Sequence, residues 1–215
     1  MPPTLLFLQQ SLNSAIDRLR PSVWLALAAA AIYLLVTLLL ANITAALSHG
    51  TSAGAFGILL SQGIFGILVV GLARFFLCLA DGKEARLEEL LYGFGAPWKS
   101  VAGVLFGWVS GIVALLGLLF PAIAPLSALA VLGLFPLFMF APFLIADEAV
   151  SGVTETFVEA YQLGRSHYAK TLAIAVPVAF LFFLSAILFL AILVNIPICY
   201  ALVAVAYRSL VSHPQ

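Results

Sequence analysis

SVWLALAAAAIYLLVTLLLANITAAL, residues Ser22–Leu47, contains no Asp, Glu, Lys, Arg or His. A helix needs about 20 consecutive apolar residues to cross the hydrocarbon of a bilayer, and this stretch exceeds that. Arg18 and Arg20 precede it, as basic residues precede a secretory signal. A signal's apolar core is only about 7–15 residues long, so a retained first transmembrane helix is the better reading.

The rest of the chain repeats the pattern. Apolar runs are expected to cross at about 53–80, 100–120 and 126–146, the last two separated by Pro121-Ala122-Ile123-Ala124-Pro125, whose prolines disfavour one continuous helix. A final run covers about 171–211. As one helix it would be roughly 60 Å long, twice the hydrocarbon thickness. Asn195-Ile196-Pro197 is the expected turn, giving a fifth helix at 171–193 and a short sixth at 197–211; a single kinked helix is the alternative. Of the 215 residues, 64% are hydrophobic and 8% charged, against about 45–50% and about 25% in a soluble domain. The expected fold class is therefore all-α, a polytopic transmembrane bundle of about six helices in one membrane domain, 1–215. It divides into 1–80, 81–146 and 147–215, each an amphipathic segment followed by a helical hairpin.

The amphipathic segments lie near the N-terminus (Leu5, Leu8, Leu12, Ile16, Leu19), at 84–95 (Leu87, Leu90, Leu91, Phe94) and at 148–166 (Val150, Val153, Phe157, Tyr161). Their apolar positions recur at helical spacing, and such helices suit the membrane surface. The nine basic residues are Arg18, Arg20, Arg74, Lys83, Arg86, Lys99, Arg165, Lys170 and Arg208. With six crossings all fall in or beside segments on one side. The opposite turns, about 48–52, 121–125 and 194–197, hold no Asp, Glu, Lys or Arg. The positive-inside rule then places both termini in the cytoplasm, and a bacterial inner membrane is the expected location. Arg74, Trp98, Lys99, Lys170 and Arg208 are expected as interfacial anchors, Arg74 snorkelling toward Asp81. Ala80-Asp81 and Ala146-Asp147 end the second and fourth helices alike, so the three hairpins could be a repeat; topology alone could also produce the likeness.

Gly103, Gly107 and Gly111 form a stripe in the third helix, and Gly57 and Ser61 share its spacing in the second. Small residues four apart let helices approach closely in lipid, and packing between these two helices is favoured over a dimer. Gln62 is expected in an interhelical hydrogen bond. Asp147 and Glu148 are adjacent carboxylates, and Asp147 is expected to cap the helix after it.

Cys78 and Cys199 lie in apolar runs without metal spacing, and His49, His167 and His213 lie in separate loops. No hydrolase, zinc-protease or phosphate-loop motif occurs. No catalytic site, cofactor or metal is therefore expected, and the zero net charge gives no argument for nucleic acid.

Gly71–Glu84 (GLARFFLCLADGKE) with Leu90–Phe94, Phe140–Glu148 (FAPFLIADE) and Ala206–Leu210 (AYRSL) resemble recurring elements of bacterial six-helix membrane proteins. That group includes YciC-like proteins and the membrane domain attached to some glycerophosphodiester phosphodiesterases. The resemblance implies the architecture and supplies no catalytic residues. The function expected is a binding or assembly component in lipid or envelope homeostasis, with membrane lipids and a membrane or cytoplasmic protein as partners. The alternative is a carrier or channel for an apolar or zwitterionic substrate, suggested by Pro136, Pro142 and Pro177, which could kink helices four and five.

Overall fold

A computed structural model describes residues 2–47, 51–119, 133–188 and 191–211. Residues 48–50 of the turn expected at 48–52, the turn at 121–125, the start of the fourth helix, His49 and His213 lie outside the described residues, and 51–52 already belong to a helix. Every regular element among the described residues is helical.

The helices are α1 (Pro3–Leu19), α2 (Val23–Leu47), α3 (Thr51–Ala80), α4 (Pro97–Leu119), α5 (Ala141–Asp147), α6 (Val153–Ser166), α7 (Tyr168–Ile187) and α8 (Ile192–Val211). A 3-10 segment, Leu87–Phe94, precedes α4. A helical stretch over 133–138 leads into α5. Three helices among the described residues are long and apolar enough to cross a membrane: Pro3–Ala46, Leu59–Ala80 and Ile192–Val211. Thr37, Asn42 and Thr44 in α2 return their side-chain donors to the carbonyls of Tyr33, Leu38 and Leu40, one turn back. Polar groups in an apolar stretch are thereby satisfied locally.

α3 is the hub. α2, α4, the 3-10 segment, α5 and α8 all pack on it. In its most apolar window 78% of residues are buried, against 22% in the most apolar window of the Pro3–Ala46 span. Phe75, Phe76, Phe140 and Tyr207 form the large centre of the core. α4 reaches α3 through backbone contact. A β-carbon on Gly66 would overlap the carbonyl oxygen of Gly103, and one on Gly107 would overlap that of Gln62. The intramolecular reading of the Gly103–Gly107 stripe therefore holds. The partner positions differ from those expected: Gln62 and Gly66 make the close approach, while the Gly57 carbonyl accepts a bond from Thr44 of α2. Gly111 lies one turn further along α4, with surroundings outside the described residues.

Two other expectations are corrected. The fifth helix ends at Ile187 and the next begins at Ile192, so Asn195-Ile196-Pro197 sits inside α8 and not between the helices. Asn195 is buried and donates to Leu181 O (2.9 Å) and Ser185 Oγ (2.8 Å) of α7. Moving the turn upstream makes both arms 20 residues long, about 30 Å, where a turn at 195–197 would leave a sixth helix of roughly 22 Å. The segment 84–95 is not an α-helix. Three residues per turn bring Leu87, Leu90 and Gly93 into line and rotate Leu91 and Phe94 outward; Leu90 and Gly93 are buried, Leu91 and Phe94 exposed.

Candidate functional site

Helix α3 ends at Ala80 with Asp81 next in the chain, and α5 ends on Ala146-Asp147. A carboxylate at a helix C-terminus meets the negative end of the helix dipole, so each Asp needs a cation. Arg208, in the last turn of α8, serves both. Its Nε and Nη2 donate to the two oxygens of Asp81 (2.6 and 2.8 Å), and its Nη1 donates to Asp147 Oδ2 (2.6 Å). Tyr207 donates its hydroxyl to the same Asp147 oxygen at 3.1 Å, and Lys83 approaches Asp81 at 3.4 Å. One guanidinium thus ties together the ends of three helices that are distant in sequence.

A second group lies beside it. Arg74 donates Nη1 to Ala146 O (3.0 Å), one residue before Asp147, and its Nε lies 3.5 Å from Glu89. Glu148 follows α5 in the left-handed region, φ 56°, ψ 24°, the one non-glycine residue there among the described residues. Such a backbone costs about 1–3 kcal/mol and persists where its surroundings hold it. The holders are Lys99, whose Nζ donates to Glu148 Oε1 at 2.6 Å, and Tyr92, whose hydroxyl donates to the same oxygen at 2.5 Å. The Lys99 ammonium also stands 4.0 Å from the Tyr92 ring centre. The bond from Lys99 first, then that from Tyr92, holds the Glu148 carboxyl below the usual carboxylate range. Burial first, then the bond to Glu148, pushes the Tyr92 phenol up.

These contacts revise several assignments. Asp147 does not cap the following helix: α6 starts at Val153 with Gly152 at its N-cap and no side-chain cap bond. Asp147 instead closes α5 and binds Arg208. Arg74 reaches Ala146 and Glu89 rather than Asp81, which Arg208 occupies. Lys99 is 7% exposed and pairs with the more exposed carboxylate of Glu148. Arg208 is likewise committed to two carboxylates. Trp98 stays half-buried at the start of α4, and Lys170 lies 5.6 Å from the Phe7 ring, joining α7 to α1. The Arg18 guanidinium lies against Gly82, whose φ of +71° turns the chain after α3. Sequence reading passed over Tyr92, Glu89 and Tyr207 as site residues. The repeated Ala-Asp ending was the signal available for the clasp, since two like carboxylates at helix ends call for a shared cation.

Beyond the clasp, an open groove of about 630 Å³ lies between α4, the 133–138 stretch and α6. Its walls are Leu105, Phe138, Val153, Phe157, Val158 and Tyr161, with Thr154, Gln162 and Arg165 also lining it. A cleft of about 200 Å³, lined by apolar residues of α2, α3 and the 3-10 segment and by the Tyr33 ring, lies elsewhere.

No family model, curated protein sequence or solved structure matches this chain.

Proposed function

We propose that this chain is a bacterial inner-membrane protein of six crossings with both termini in the cytoplasm. In this reading it is a non-catalytic binding or assembly component of lipid or envelope homeostasis. The clasp is the observation behind it. Asp81, Asp147 and Arg208 come from segments that a six-crossing chain leaves on one side, and they meet within hydrogen-bond distance. Arg18 at Gly82 and Lys170 at Phe7 bring the first amphipathic helix to the same end. The carboxylates of the cluster are engaged by cations at 2.6–3.5 Å, an arrangement that holds helix ends rather than one poised to move a proton.

The amphipathic helices support contact with lipid. α1 buries Ser11, Ala15 and Leu19 and leaves Leu5, Leu6, Leu12 and Ile16 exposed. Large apolar residues beside charged ones on a surface helix suit the boundary between headgroups and acyl chains. The resemblance to YciC-like proteins agrees with this architecture. The test is a reporter that fluoresces only in the cytoplasm, fused in turn before Met1 and after Gln215. Both fusions should fluoresce, and the protein should resist alkaline extraction from membranes. A dark fusion at either end contradicts the topology. Release by alkali contradicts the membrane assignment.

A further inference from the structure

The two faces of α6 divide by residue size. Thr156, Ala160 and Gly164 are buried, and a β-carbon on Gly164 would crowd the backbone of Leu137. This small-residue stripe is what docks the helix. Val153, Phe157 and Tyr161 of the apolar stripe expected from the sequence line the open groove, together with Val158. With Thr154, Gln162 and Arg165 they continue along one side of α6 for about 18 Å. Leu105 and Phe138 form the facing wall, Phe138 stacking at 6.1 Å from Tyr161. The volume falls within the roughly 300–1,000 Å³ of small-molecule sites, and the groove is open to its surroundings.

The polar content of the groove is one-sided. Among the described residues its lining holds one cation, Arg165, two neutral hydrogen-bonding side chains, Thr154 and Gln162, and no Asp or Glu. Arg165 has no carboxylate partner among the described residues. It stands in the last turn of α6, next to the negative end of that helix, so an anion could be held there only by the guanidinium itself. An open apolar groove bearing one guanidinium without a carboxylate partner among the described residues matches a long alkyl chain joined to a phosphate.

We propose that this groove binds an anionic phospholipid from the surrounding bilayer, one acyl chain lying along Val153, Phe157, Val158 and Tyr161 and the phosphate on Arg165. The inference rests on the membrane reading above. Full-length protein in nanodiscs of mixed phosphatidylglycerol and phosphatidylcholine, examined by native mass spectrometry, tests it. Wild type should retain phosphatidylglycerol in preference. Arg165→Ala should weaken that retention about tenfold, the loss of one charge-assisted contact, and Arg165→Lys should recover part of it. Val158→Trp, which fills the groove from an exposed position, should displace both lipids. Free glycerol phosphate should not compete, since the chain supplies the apolar contacts. Retention unchanged in both Arg165→Ala and Val158→Trp overturns the site and leaves the membrane reading standing. Competition by glycerol phosphate overturns the acyl-chain assignment. A protein that carries no lipid and is released by alkali overturns both readings.

Discussion

Helix α4 closes on one neighbour and stays open to another. Toward α3 it presents Gly103 and Gly107, and the backbones meet; toward α6 it presents Leu105, and a groove remains. Small residues on both partners permit contact along the seam, whereas large ones facing each other hold the walls apart. In water, large apolar side chains would be the ones driven inward. In lipid, the setting proposed for this chain, that drive is absent, and close packing selects small residues. α6 follows the same rule, burying Thr156, Ala160 and Gly164 while larger neighbours stay outside; α1 buries Ser11 and Ala15 but also Leu19.

The comparison can be broken at the seam. Gly66→Leu forces a side chain into the backbone of Gly103 and should cost about 3 kcal/mol, the upper end of overpacking. Gly63→Ala, one turn away, meets Val104 and Trp108 side chains at 3.4–3.5 Å, ordinary contact, and should change little. Unfolding in detergent read side by side decides it; equal losses would mean that the seam does not depend on close backbone approach.

Arg208→Ala should be next in size. Removing one partner of a buried ion pair costs about 3–5 kcal/mol. A guanidinium 30% exposed, beside carboxylates 19% exposed, brings the expectation down to about 2 kcal/mol, measured by the same unfolding. Asp81→Asn or Asp147→Asn alone should cost less, since one carboxylate remains. On the open side, Phe157→Ala should stay within about 0.5 kcal/mol, as for surface positions; a larger loss would show that the groove wall supports the fold.

The smallest effect concerns pH. Glu148 has its carboxyl pKa depressed in the folded state, so its contribution is present above the unfolded value of about 4.3 and is lost as pH falls through the lower folded one. Apparent melting temperature should therefore drop more in wild type than in Glu148→Gln as pH is lowered below about 4.3. Parallel curves would remove Glu148 from the clasp's acid response.

Much of this organisation was readable in the sequence because bilayer physics acts on long, uniform runs. Uncharged stretches located α2, α3, α4 and α7, and glycines four apart located the seam. What escaped depended on contacts between distant residues. Nothing local says that Asn195 will donate across to Leu181 and Ser185, so it was read as a turn residue. Asp147 has the chemistry of a cap, but Arg208, 61 residues later, claims it. The 3-10 winding of 87–94 shifts every third residue inward, and a helical wheel drawn at 3.6 residues per turn sorts Leu91 and Phe94 to the wrong face. In α6 the apolar stripe Val153, Phe157 and Tyr161 lines the open groove, while the helix docks through Thr156, Ala160 and Gly164, small residues that an apolar periodicity does not single out.

The central claim is that charged segments brought together by Arg208 share one side of a membrane while the bare turns occupy the other. Single cysteines at Lys83, Lys170 and His49, in a background with Cys78 and Cys199 replaced by serine, can be labelled in intact cells with an impermeant maleimide. The account predicts label at position 49 alone, with 83 and 170 reacting only after the membrane is opened. Positions 83 and 170 reacting from opposite sides would contradict it.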